Sequence, residues 1–80
     1  MNGCKVYVDV LAEFTKEGRL MPKRIRWNDG REYDITRVKD VCRAASLKAG
    51  GAGLRYTCVV SGVDCYLFYE ENNKWFMEAK

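Results

Sequence analysis

Apolar and polar residues alternate along nearly the whole chain, with a period of two. In CKVYVDVLAEF, residues Val6, Val8, Val10, Ala12 and Phe14 share one face, while Lys5, Tyr7, Asp9 and Glu13 occupy the other. That pattern predicts a half-buried first strand. Thr15 to Gly18 then turn the chain, and RLMPKRIRW continues as a second strand holding the single proline, Pro22. Proline has no N–H to give a ladder, so this strand needs an outward-facing N–H position there or lies on an edge. A four-residue loop sets Val8 opposite Ile25 and Asp9 opposite Arg24, which matches apolar to apolar across the pair.

WNDGREYDI carries the clearest local signal. Asn28, Asp29 and Gly30 suit a three-residue hairpin loop with glycine in the left-handed position. The register that follows places Ile25 opposite Tyr33, Arg26 opposite Glu32 and Arg24 opposite Asp34. From Thr36 to Gly53 two readings compete. Val38, Val41, Cys42, Ala45 and Ala49 fall at helical spacing, with Thr36 and Gly50 as end signals. Val38 and Val41 are also β-branched and continue the third strand, which favours an extended Ile35 to Val41 followed by a crossing loop. LRYTCVVSGVDCYLFYE reads as a further hairpin turning at Ser61 to Asp64, with Val60 opposite Cys65, Cys58 opposite Leu67, and both faces apolar. After ENNK, WFMEA forms a short last strand.

These elements predict a mainly β fold: about six antiparallel strands in meander order, forming a small barrel-like or strongly bent sheet. A short helix or a long loop belongs around residues 40–50. Eighty residues supply apolar surface for one core, so residues 1–80 are expected to form a single domain. No signal-peptide pattern is visible and no run nears the ~20 apolar residues that cross a bilayer, which predicts a cytoplasmic protein without membrane contact.

Little in the chain provides for catalysis. There is no histidine, and no serine or carboxylate pair stands at a recognisable spacing, so no catalytic residue is assigned and the protein is read as a non-enzyme without cofactor. Cys4, Cys42, Cys58 and Cys65 include no Cys-x-x-Cys, which argues against a metal site. Core thiols are the expectation, with Cys58 and Cys65 as diagonal neighbours on one hairpin face. The stretch GGAGLRYT resembles a phosphate loop only in its glycines. It lacks the Gly-Lys-Ser/Thr and Gly-x-Gly-x-x-Gly patterns and leads into a strand, so a turn is the simpler reading.

Charge is the feature that points to function. Between Arg19 and Lys48 there are nine Lys/Arg against four acids, although the whole chain carries only +3. Small barrels use such basic strands, interleaved with aromatic rings, to hold nucleic acid. The expectation is a non-catalytic nucleic-acid-binding module. Lys23, Arg24, Arg26, Arg37, Lys39 and Arg43 would meet phosphates, with Trp27 and Tyr33 as stacking surfaces. Against it stands a solvated face whose arginines are neutralised by their own Glu and Asp partners, and a register that puts Trp27 on the inward face with Val6. The alternative function is a homodimer or protein-interaction adaptor built on the second apolar face of the last hairpin, Val59, Tyr66 and Phe68. That face needs covering by the Cys42 to Ala49 segment or by a partner.

Three stretches, LMPKRIRWNDGREYDITRV, AASLKAGGAGLRYTCVVSG and CYLFYEENNKWFMEAK, together resemble a group of small uncharacterised proteins from Firmicutes-type bacteria. The distinctive pieces are Trp27-x-Asp29-Gly30, Ser46 to Gly51 followed by Arg55-Tyr56-Thr57, and Trp75-Phe76. The resemblance spans nearly the whole chain. It implies a bacterial cytoplasmic protein and a stand-alone domain, and it brings no activity or ligand with it.

Overall fold

A computed structural model of the chain describes residues 5–43 and 53–78. Six strands follow one another: β1 (Lys5–Phe14), β2 (Leu20–Arg26), β3 (Glu32–Arg43), β4 (Gly53–Val60), β5 (Val63–Glu70) and β6 (Trp75–Glu78). All pairs are antiparallel neighbours in sequence except β1 with β6, and that last pairing closes a barrel. The meander expected from the alternation is therefore present, and closure leaves no free sheet edge at either end of the order. No helix occurs among the described residues. The helical alternative for residues 40–50 is excluded as far as Arg43; residues 44–52, including Lys48 and the first two glycines of the GGAGLRYT stretch, lie outside the described residues.

Two strands are shared between differently oriented sheets. Lys5 to Val8 of β1 pair with β6, whereas Asp9 to Phe14 pair with β2. In β3, residues Asp34 and before pair with β2, and Ile35 onward pair with β4. β1 and β3 are thus the corners of the barrel. Bulges bend β3, whose register shifts between Ile35 and Arg37 and again between Val38 and Asp40. Each bulge adds one residue, so Ile35, Val38 and Val41 meet Val60, Cys58 and Tyr56 in turn. A spacing of three that looked helical comes from two bulges in a strand. Thr36, one of the extra residues, donates its hydroxyl to the Val59 carbonyl at 3.1 Å, which repairs part of the interrupted ladder.

Pairing differs from the sequence expectation at two hairpins. Between β1 and β2 the loop runs from Thr15 to Arg19, and a bulge opposite Leu11 and Ala12 leaves Lys23 unpaired. Val10, not Val8, then faces Ile25, and Asp9 faces Arg26 instead of Arg24. Pro22 is fully buried beside this bulge, so the interrupted ladder rather than an edge accommodates its missing N–H. Phe14, placed on the inward face by parity, is 72% exposed at the end of β1. Between β4 and β5 the turn is the two residues Ser61 and Gly62, with φ of 52° and 76°, not four residues ending at Asp64. Two left-handed residues match the twist of the flanking strands. Cys58 accordingly lies directly opposite Cys65, and Tyr56 opposite Leu67. The β4–β5 shift, and the β1–β2 shift as far as Leu11, is by two, so inward residues stay inward there; beyond the bulge, at Ala12 to Phe14, the shift is by one. The β2–β3 register agrees with expectation at all three pairs, with Gly30 at φ 88°.

The interior is built on Val8, Ile25, Tyr56, Cys58 and Leu67, against which Trp27, Tyr33, Trp75 and other half-buried residues pack. Tyr56 is the largest wholly buried side chain, and its hydroxyl donates to the Leu20 carbonyl, joining β4 to the start of β2 through the core. Replacing Tyr56 with phenylalanine keeps the ring and strands that carbonyl. A loss of about 1–3 kcal/mol in chemical denaturation is expected, with the far-UV circular dichroism unchanged. A destabilisation below a few tenths would mean that water replaces the bond.

Candidate functional site

The switch in β1 pairing has a geometric by-product. Where β1 leaves β6 and joins β2, the β2–β3 turn and the β5–β6 turn stand apart on either side of it. A cleft of about 860 Å³ opens between them. Tyr7, Asp9 and Val10 of β1 form its floor, Arg26, Trp27 and Asn28 one wall, and Asn73, Lys74 and Trp75 the other. Trp75 is braced from behind by Tyr56 and Tyr69, with ring centroids 5.5 and 4.7 Å away. The Lys74 ammonium lies 5.7 Å from the centre of the exposed Tyr7 ring. Asn73, at φ 67°, turns the chain tightly enough to bring Lys74 and Trp75 to this wall. The cleft therefore combines two indole rings and a phenol with two cations, one carboxylate and two side-chain amides. Such a set can stack on planar rings, hydrogen-bond to polar edges and meet an anion.

The basic strand pair is largely neutralised at home. Arg24 Nε donates to Asp34 at 2.8 Å, and its pKa is raised by that bond and charge first, with Glu32 adding less. Arg26 bridges Glu32 at 3.3 Å and Asp9 at 3.8 Å, while Lys23 reaches Glu13 at 3.6 Å. Lys39, the extra residue of the second β3 bulge, meets Asp64 of β5 at 2.8 Å. Exposed pairs of this kind add little to stability but cancel the local field. Of the six cations expected to meet phosphates, only Arg37 and Arg43 have no ion pair among the described residues.

The two rings expected to stack beside these cations face elsewhere. Trp27 and Tyr33 are half-buried and pack on the core, on the opposite side of the wall from Arg24, Arg26 and Glu32. Trp27 still reaches the cleft at its rim. Both rings also line a second pocket of about 300 Å³, apolar, together with Val63, Cys65 and Met77.

No protein-family model, curated protein or solved structure matches this chain.

The outer face of the last hairpin is only partly free. Phe68 is 6% exposed and stacks on Phe76 at 4.8 Å, with the Tyr7 ring set edge-on to Phe76 at 5.9 Å. Phe68 is therefore buried against its partner on β6. Val59 and Tyr66 remain half-buried, and the Arg55 guanidinium lies 5.0 Å over the Tyr66 ring. Of the segment expected to cover this face, only residues 42 and 43 are described, and Cys42 pairs opposite Arg55. Among the described residues no group of three or more His, Cys, Asp or Glu side chains is placed to hold a metal ion, and no helix is long and apolar enough to cross a membrane.

Nothing in the alternation marks Trp75, Lys74, Asn73 or Tyr7 as site residues. Their only sequence signal is a tryptophan directly after a polar turn, where a wholly buried ring is unusual.

Proposed function

We propose that this protein is a non-catalytic binding module for single-stranded nucleic acid, and that the strand lies in the cleft over β1 rather than along the β2–β3 ladder. The observation that carries this reading is the joining of Trp27 and Trp75 with Arg26 and Lys74 in one open groove. Bases stack on such rings whatever their sequence, each worth roughly 1–3 kcal/mol. Lys74 meets the backbone, Arg26 does so by exchanging its Asp9 and Glu32 partners for phosphate, and Asn28 and Asn73 offer hydrogen bonds to base edges.

Fluorescence anisotropy of a labelled, mixed-sequence single strand, titrated over a range of salt, tests it. Two phosphate contacts predict a slope of log affinity against log salt of about −1.4, whereas all six cations of the basic stretch would give about −4. Trp75→Ala should weaken binding by about 5- to 150-fold, the equivalent of one stacked base. Charge reversal at Lys39 and Arg43 should leave the affinity nearly unchanged. A steep slope with an inert Trp75→Ala would return the site to the ladder, and absence of binding at low salt would remove nucleic acid altogether.

A further inference from the structure

Cys58 and Cys65 occupy directly opposed positions in the β4–β5 ladder, fixed by the tight Ser61-Gly62 turn two residues away. Both side chains belong to the barrel interior, and both thiols are free. Residues directly opposite in an antiparallel pair have Cα atoms about 4.5–5.5 Å apart, inside the roughly 4.4–6.8 Å range that a disulfide spans. No large backbone movement is needed to join them. The two thiols differ in access. Cys58 is wholly buried, whereas Cys65 is half-buried and lines the apolar pocket formed with Ile25, Trp27, Tyr33, Val63 and Met77. Val63, at the mouth of that pocket, is 64% exposed. Cys42 has no part in the pair, since it lies opposite Arg55 on the outer face.

We propose that Cys65 and Cys58 form a dithiol exchange site, in which the apolar pocket admits a small aromatic or aliphatic disulfide to Cys65 and Cys58 resolves the adduct. This activity is separate from the cleft and does not depend on what the cleft binds. The Cys65 thiolate attacks one sulfur of the small disulfide. A Cys65–sulfur bond forms, the original sulfur–sulfur bond breaks, and one thiolate leaves and takes up the proton that Cys65 lost. The Cys58 thiolate then attacks the Cys65 sulfur and expels the second half of the reagent, which takes up the Cys58 proton. Two protein thiols are oxidised by two electrons, and one disulfide is reduced to two thiols. Burial holds both thiols protonated, Cys58 further raised by Cys65 beside it and Cys65 by Asp64, so exchange is slow at neutral pH and quickens with alkali.

The test uses the full-length wild-type chain and 4,4′-dithiodipyridine, an aromatic disulfide, at mildly alkaline pH, followed by non-reducing peptide mapping. The expected product is a Cys58–Cys65 linkage with the loss of two hydrogens, while Cys42 carries a stable pyridyl adduct. In Cys58→Ala, the adduct on Cys65 should persist instead of disappearing. Three outcomes would overturn the proposal: a lasting adduct on Cys65 of the wild type, linkage of either thiol to Cys4 or Cys42, or a Cys65 that stays unmodified while Cys42 reacts fully.

Discussion

Above pH 9 the folded protein is expected to lose stability steadily, and the largest cause is one thiol. Burial among the core side chains, with Cys65 adjacent, pushes the Cys58 thiol up to about 12 from its ordinary 9. Below pH 9 that thiol is protonated whether the chain is folded or not, and its contribution is fully present. Between 9 and 12 the unfolded chain releases the proton and the folded one keeps it. Stability then falls by about 1.4 kcal/mol per pH unit, approaching about 4 kcal/mol at the top of the range. Burial also raises Cys65 and Tyr56, so both act in the same direction. For a domain whose total stability is of order 5–15 kcal/mol, that is a large fraction. Denaturant midpoints followed from about pH 8 to about pH 11 measure it. Cys58→Ala starts lower because it leaves a cavity, yet its alkaline slope should be clearly shallower than that of the wild type. Parallel slopes would mean that Cys58 ionises in the folded state as readily as in water.

The second large effect is expected from Gly53→Ala. Gly53 opens β4 directly against β5, where it pairs with Glu70 and Leu54 pairs with Tyr69. A Cβ at this position would run into the backbone carbonyl oxygen of Tyr69. A flexible side chain could swing aside, but a carbonyl held in a ladder moves only with its strand. The change should cost about 3 kcal/mol, the upper part of the usual overpacking range. In a chain of this size that lowers Tm by roughly 12–24 °C. A shift of only a few degrees would mean that the start of β4 frays without consequence for the barrel. The last glycine of the GGAG stretch is thus accounted for by the close approach of two strands, without any phosphate.

What the sequence could reveal depended on how local each feature is. The β2–β3 register was readable because Asn28, Asp29 and Gly30 dictate a single turn geometry and nothing distant modifies it. Inward and outward faces were readable for β4, β5 and β1 as far as Leu11 because parity survives a slip of two. The actual partners were not: the two-residue Ser61-Gly62 turn moves the pairing without disturbing the alternation, and the Lys23 bulge breaks the alternation of β2, leaving Lys23 and Arg24 both exposed. In β3 the spacing of Ile35, Val38 and Val41 carried a bulge signal that is identical on paper to a helical one. The same distinction holds for the site. The cations were identifiable, but three of the acids that neutralise them, Asp9, Glu13 and Asp64, come from other strands. Trp75 and Lys74 become neighbours of Trp27 only because β1 changes partner at Val8, and no residue in β1 announces that change.

The pairing of β1 with β6 also bears on how the chain acquires its structure during synthesis. Within the barrel β1 must wait for β6, so a nascent chain halted anywhere between them has a β1 whose first half lacks its neighbour. Hairpins can form in order as they leave the ribosome, since each strand meets its predecessor. The ring itself closes only in a single late event that joins the first and sixth strands of the barrel, and such distant closures are slow. Until that moment β1 and β5 both expose unpaired backbone, and the growing chain is most prone to pair with another copy of itself.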